Sequence, residues 1–313
     1  MKTTNAAQIA QAFLWAACYL LLISPAMLVA QDSQNSIVAR EHHPWGRFSP
    51  GAWKCVKITT EHFDSEGKVT SVSVSEVTTT LDRVEDDVFT LRIESAVNVA
   101  GRRIAAAPQI TSQHFNGAPA DQKAMLTDLP ARDVAVDGVN YPCQVQQLEI
   151  TGSVTKTVTK LYHCADVDPY ILKRESRSTD LATDQEASRS VMEVIALEMP
   201  HDVLSRIMPT THIKAVQTHP EGSTVTVAFS TLAVPGGVVA HSSKEMDANG
   251  VLLRRSTLEL VDYGLVTKRS RPLLNRPFFQ RRWQRGAMRR RPPEPPDEIP
   301  RPTGPPFRLQ SKK

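Results

Sequence analysis

The sequence predicts an all-β, mainly antiparallel protein: a curved sheet, half-barrel or sandwich of about ten to twelve strands of ordinary length. Three observations carry this. Alternation of apolar and polar residues with period 2 recurs from residue 52 to residue 262. Turn-forming clusters punctuate it: Asp64-Ser65-Glu66-Gly67, Asp137-Gly138, Gly152-Ser153, Pro220-Glu221-Gly222 and Asp247-Ala248-Asn249-Gly250. No long apolar run follows the first 30 residues of the 313, which excludes a multi-span helical membrane protein.

In chain order, residues 1–30 read as a secretory signal peptide. Lys2 supplies the basic start, Ala12 to Ala30 carries no charge, Ser24-Pro25 breaks the run, and small residues stand at Ala26 and Ala30. Cleavage is expected after Ala30, with Ala26 as the second site; an uncleaved anchor is the alternative. Trp15-Ala16-Ala17-Cys18 is a poor lipobox, because Trp stands where Leu is wanted and the apolar run continues past Cys18. An exported, periplasmic or extracellular protein follows. Residues 31–49 read as a linker. Within them, His42-His43 beside Trp45 could hold a metal or a stacking ligand, although a linker explains them as well.

Residues 50–267 read as the β domain. Val72 and Val74 alternate with serines; Phe89, Leu91 and Ile93 with Thr90, Arg92 and Glu94; Val225, Val227 and Phe229 with Thr224, Thr226 and Ala228. Two proline-bounded stretches, Asp121 to Leu126 and His201 to Met208, could be helical, with Asp202 complementing a helix N-terminus. Asp184 to Glu198 fits either helix or strand. A weak repeat links Pro50-Gly51…Asp64-x-x-Gly67…Ser73…Glu76 to Pro235-Gly236…Asp247-x-x-Gly250…Ser256…Glu259. Its physical content is a hairpin with an Asp-x-x-Gly turn, and it would place the first and last hairpins symmetrically about the sheet.

Three cysteines remain after signal removal: Cys55, Cys143 and Cys164. Cys143–Ile150 and Lys156–Cys164 form a hairpin if the loop is Gly152–Thr155. Val145 then lies opposite Tyr162, Gln147 opposite Lys160, and Cys143 opposite Cys164. Export favours a Cys143–Cys164 disulfide, contributing ~3 kcal/mol in the chain-entropy picture. The apolar phase switches between Val145 and Leu148, which predicts a bulge near Gln146-Gln147. Cys55 is left as a small buried side chain, a partner thiol or a reactive one.

Nothing local announces catalysis. There is no Gly-x-Ser-x-Gly elbow, no His-Glu-x-x-His pair, no phosphate-cradling glycine loop and no Cys-x-x-Cys pair. His163, Asp166 and Asp168 fall short of a filled calcium shell, and Glu85-Asp86-Asp87 reads as a solvated corner. The expectation is a non-enzymatic protein without cofactor or metal. A hydrolase whose residues meet only in three dimensions stays open.

Residues 268–313 form a Pro/Arg-rich tail read as disordered. They hold 14 Lys and Arg against three acids, a net of +11, and 10 of the 22 prolines, whereas residues 31–267 carry a net −8. Arg276, Arg281, Arg282, Trp283, Arg285, Arg289, Arg290 and Arg291 suit an anionic membrane or polysaccharide surface. Nucleic acid is disfavoured by export.

The stretches His43-Pro44-Trp45-Gly46-Arg47-Phe48-x-Pro50-Gly51-x-Trp53 and Val234-Pro235-Gly236-Gly237-Val238-Val239 resemble uncharacterised secreted proteins of planctomycete-type bacteria. That resemblance implies no activity. The architecture resembles the half-barrel carriers of envelope lipoproteins and lipids, with no motif behind it. From these readings the leading expectation is a binder of an apolar ligand or lipid on a curved sheet. The alternative is an envelope protein held through its tail.

Overall fold

A computed structural model describes residues 39–99, 102–120, 122 and 124–265. The expected signal peptide and the basic tail, including Arg276, Arg281, Arg282, Trp283, Arg285 and Arg289 to Arg291, lie outside the described residues.

The fold is a single curved, open antiparallel sheet of fourteen strands. The count exceeds the sequence expectation by a few. In chain order the strands are β1 (Trp53–Phe63), β2 (Val69–Val84), β3 (Val88–Val99), β4 (Arg102–Ala105), β5 (Gln109–His114), β6 (Ala124–Val136) and β7 (Val139–Thr151), then β8 (Thr155–His163), β9 (Ile171–Asp180), β10 (Glu186–Val203), β11 (Arg206–His219), β12 (Gly222–Ser230), β13 (Val238–Asp247) and β14 (Leu252–Gly264). Their order in the sheet is β4-β3-β2-β1-β14-β13-β12-β11-β10-β9-β8-β7-β6, and β5 shares the outer edge of β3 with β4. Along this path every step but one joins strands consecutive in sequence. The exception is β1–β14, which joins the first and last strands inside the sheet, four strands from one end of the path and nine from the other.

The turns form where their sequences demand. Asp137-Gly138, with φ of 51° and 77°, closes β6–β7 as a two-residue turn with both central residues left-handed. The Asp-x-x-Gly repeat is one structure used twice. Asp64 Oδ1 accepts from the Glu66 and Lys68 N–H groups, and Asp247 Oδ1 from those of Asn249 and Val251. The repeat goes further than the turn. Ser73 and Ser256 lie on either side of Thr60, and Glu76 and Glu259 on either side of Lys57. The two hairpins therefore adjoin inside the sheet, at the β1–β14 seam, instead of flanking it.

Neither stretch that could have been helical is helical where it is described: each is strand with a bend or turn. Leu126 lies in β6, which begins at Ala124; Asp121 and Lys123 are outside the described residues. His201–Met208 spans the β10–β11 turn. Pro200 and Pro209 face each other across that hairpin. They lie beyond the segments where β10 pairs with β9 (Glu186–Glu193) and β11 with β12 (Thr211–His219). Neither proline is asked for an outward N–H there, so the pair is tolerated in strands. Glu186–Glu198 belongs to β10, a strand.

Leu204 and Ser205 close this hairpin at φ 53° and 66°, a region that costs a non-glycine residue roughly 1–2 kcal/mol. Replacing Leu204-Ser205 with Asn-Gly is expected to stabilise the protein by about 1–2 kcal/mol, read as a raised urea midpoint. A lowered midpoint would contradict the turn geometry.

The segment 39–49, read from sequence as the end of a linker, packs onto the sheet. Trp45 is 3% exposed and clusters with Leu81, Phe89, Leu91 and Phe115. His43 sits against Phe89 and Phe115, and its Nδ1 accepts from the Trp45 and Gly46 N–H groups. Gly236, at φ 72°, lets the β12–β13 connection run directly over Trp45: a Cβ there would lie 2.6 Å from the indole.

Candidate ligand-binding face

Register defines two faces of the sheet. One carries Val56, Ile58 and Thr60 of β1, all nearly out of contact with solvent. Among the described residues there is no α-helix; the segment 39–49, with its 3-10 turn at Arg40–His42, covers the part of this face around Leu81, Phe89 and Leu91, and the curvature of the sheet shields the rest. It is called the inner face below.

Followed across neighbouring strands, the inner face has two unlike levels. One runs Val194–Ile213–Ala228–His241–Leu258–Ile58 from β10 to β1 and is mainly apolar. The adjacent level runs Leu161–Arg174–Met192–Ala215 from β8 to β11. It then turns to hydroxyls, Thr226–Ser243–Ser256–Thr60–Ser73, from β12 to β2. Thr226 Oγ1 donates to Ser243 Oγ at 3.1 Å, and Thr159 and Ser176 share a 2.9 Å bond. Beyond the hydroxyls, Arg254 bridges Glu245. The sheet thus presents an apolar strip alongside a strip of neutral hydrogen-bonding groups.

The apolar level is covered unevenly: Val194, Ala228 and Ile58 are buried, whereas Ile213 and Leu258 are not. The buried hydrophobic residues separate into five clusters, each spanning a few strands. Ile213, Leu258, Leu260 and Ile93 stay half-buried although they point to the apolar side. Burying them fully would gain about 25 cal/mol for each Å² removed from water.

Several ionisable groups sit in or beside the inner face without an opposite charge. Lys54 Nζ donates to the Gly236 and Val238 carbonyls at 3.3 and 3.2 Å and lies 5.8 Å from the Trp45 ring. Burial lowers its pKa to about 8. His241 is lowered to about 4 by burial and by the neighbouring Lys54 charge, and its Nδ1 has no hydrogen-bond partner. His43 is lowered to about 4 by burial alone. Arg174 Nε is shut off from solvent with no acceptor. Of these four, only His43 stood out in the sequence, as part of His42-His43 beside Trp45. In the run Leu172-Lys173-Arg174-Glu175, Arg174 looks like any solvated strand arginine.

The residues that did stand out are placed as follows. His42 stacks on Tyr170 at 4.4 Å, and so does His163 at 4.9 Å, bringing together two histidines far apart in sequence. His163 Nε2 also bonds Gln146 Oε1. Among the described residues no three His, Cys, Asp or Glu side chains converge as a metal site, so His163, Asp166 and Asp168 do not assemble one. His201 stacks on Phe229. Asp87 of the acidic corner meets His114 Nδ1 at 3.0 Å. A cavity of about 340 Å³ lies by Tyr162, Lys173 and Glu193. Its polar groups already satisfy each other: Lys173 bridges Glu175 and Glu193, and Tyr162 donates to Glu175.

The cysteine hairpin has the register expected from sequence. Val145 faces Tyr162, Gln146 faces Leu161, Gln147 faces Lys160, and Thr151 and Lys156 bracket a four-residue loop. The expected bulge at Gln146-Gln147 is absent from this ladder; the irregularity lies between Leu129 and Arg132 on the other side of β7. The phase switch arises because β7 buries opposite faces at its two ends. Cys143 and Val145 pack with Val134 and Val136, whereas Leu148 and Ile150 pack with Ala118. Cys143 and Cys164 are both buried and free, and Cys55 is free and half-buried. Burial, then the nearby Cys164, pushes the Cys143 thiol up to about 11. No disulfide joins them in the structure, which leaves the bridge a proposal for the oxidised protein.

No family model matches the chain, and no curated protein matches it. Among solved structures, the chain is similar to a Bacteroides fragilis protein described as exported and of YmcC-like fold. The identity is 9%, with 69% of this chain and 97% of that chain covered, at a TM-score of 0.30. It is also similar to a DUF1329 family protein from Desulfovibrio piger, at 9% identity, 69% and 85% coverage and a TM-score of 0.25. Similarities at this level speak to neither ligand nor activity.

Proposed function

We propose that this is an exported, non-enzymatic protein that holds an apolar ligand or lipid on the inner face of its curved sheet. The observation that carries the reading is the unevenly covered apolar strip. Ile213, Leu258 and Leu260 remain half-buried on a fourteen-stranded sheet with no α-helix packed on it among the described residues. Ligand sites pair such apolar walls with a few polar groups that fix orientation, and the adjoining hydroxyl strip supplies them.

Native mass spectrometry of the protein purified from an oxidising export compartment tests this. The expected result is an adduct that disappears on denaturation and gives the mass of the ligand. A clean apo mass, together with no uptake of a neutral apolar dye, would refute the reading. The same spectrum tests the proposed Cys143–Cys164 bridge, which removes two hydrogens from the mass; the Cys143→Ser variant should not show that loss.

A further inference from the structure

We infer that the ligand of the inner face is an anionic amphiphile, whose carboxylate or phosphate is received by the Arg174 guanidinium while its apolar part lies along the strip beside it. This rests on the reading of the inner face as an apolar-ligand site and goes beyond it by assigning the ligand's charge.

Arg174 lies on the inner face of β9, flanked in register by Leu161 of β8 and Met192 of β10. Leu161 is fully buried. On a third side the loop after β5 comes close: a Cβ on Gly117 would sit 3.5 Å from Nη1. The register neighbours of Arg174 are thus two apolar side chains, and Gly117 lies near its Nη atoms. Its Nε is sealed from solvent and has no acceptor, and no carboxylate pairs with the side chain among the described residues. Elsewhere on the sheet, Arg92, Arg103, Arg177, Arg254 and Arg255 each bridge a glutamate.

A guanidinium cannot escape burial by losing its proton. Left unpaired in apolar surroundings it is costly, and it becomes favourable when an anion pairs with it. Its planar fork matches a carboxylate or phosphate with two parallel bonds. The geometry also sets a direction. Arg174 heads the mixed level of the inner face, and the apolar level lies immediately beside it, through Val194 and Ile213. Val194 is itself buried in the core, so a head group at Arg174 would direct a hydrocarbon chain to the half-buried Ile213 one strand further on.

The test uses displacement of the neutral dye N-phenyl-1-naphthylamine from the full-length secreted protein at neutral pH. The competitors are decanoate, decanol and inorganic phosphate. The wild type is expected to bind decanoate about tenfold or more tightly than decanol, the ratio a charge-assisted bond supplies. Arg174→Met should bind decanol as the wild type does and lose the preference, while Arg174→Lys should keep part of it. Without ligand, Arg174→Met should melt no lower than the wild type, because it removes an unpaired buried charge; a clearly lower melting temperature would make Arg174 a structural residue and overturn the inference. Equal affinity of the wild type for decanoate and decanol would overturn the inference and leave the apolar-ligand reading standing. Phosphate competing as well as decanoate would also overturn it, because the site would then be one for free anions. Failure of both decanoate and decanol to displace a bound dye would overturn the reading beneath it as well.

Discussion

Replacing Trp45 with alanine is expected to cost about 3–5 kcal/mol of stability, the range for deleting a large buried aromatic side chain. Trp45 is almost fully buried against Leu81, Phe89, Leu91 and Phe115, and the Gly236 backbone covers its other side. It is the anchor by which residues 39–49 close over the sheet. The counterpart is Gly236→Ala. A Cβ there meets the indole at 2.6 Å, on a backbone already at φ 72°, so this substitution should also destabilise by several kcal/mol, about 1–3 from overpacking and about 1–2 from the left-handed backbone. Because each change relieves part of the other, the double variant should lose less than the sum of the two. Urea unfolding of the four proteins measures this. Strict additivity would mean that the two residues do not touch.

Acid should unfold the protein between pH 6.5 and pH 4, and two buried histidines are expected to carry much of it. His43 and His241 both sit near pKa 4 in the folded protein, chiefly through burial. The unfolded chain titrates them near 6.5. Between these values the unfolded state binds more protons than the folded one. Stability therefore falls as the pH drops through that window. Each pKa unit is worth about 1.4 kcal/mol, which caps the contribution of either histidine at about 3 kcal/mol. Lys54 acts at the other end. Its folded pKa of about 8 lies below the unfolded value, so stability should rise as the pH climbs from 8 toward 10.5. The check is unfolding free energy against pH for the wild type, His43→Asn and His241→Leu. Each variant should flatten the acid limb, and an unchanged slope in both would assign acid sensitivity to other groups.

The sequence disclosed the parts of this fold that depend on neighbouring residues. The β7–β8 register could be read from a Gly-Ser turn and the alternation on either side, because one hairpin contains all of the information. The Asp-x-x-Gly turns were legible for the same reason. What was not legible depends on distant partners. The prolines at 200 and 209 look like helix boundaries until β10 and β11 are seen to extend past their neighbouring strands. Trp45 and His43 look like linker residues because their partners Phe89 and Phe115 come more than forty positions later. Lys54 and Arg174 stand out only through missing counter-charges, and an absence of partners leaves no pattern in a sequence. The two-level character of the inner face is similar: it appears only when nine strands are set side by side.

The joining of β1 to β14 also dictates an order of assembly. Apart from that pair, neighbouring strands along the sheet are consecutive hairpins with short loop closures, which form early and independently. β1 and β14 are separated by nearly the whole described chain, so their ladder is the slow, high-contact-order step. A chain emerging N-terminus first would hold β1 with one edge unpaired until Leu252–Gly264 had followed it. Until then two unequal pieces exist, β1–β5 and β6–β13, each with an open edge where the β1–β14 seam will form, and each able to pair with another chain instead. The last hairpin thus completes the inner face and closes both open edges in a single event.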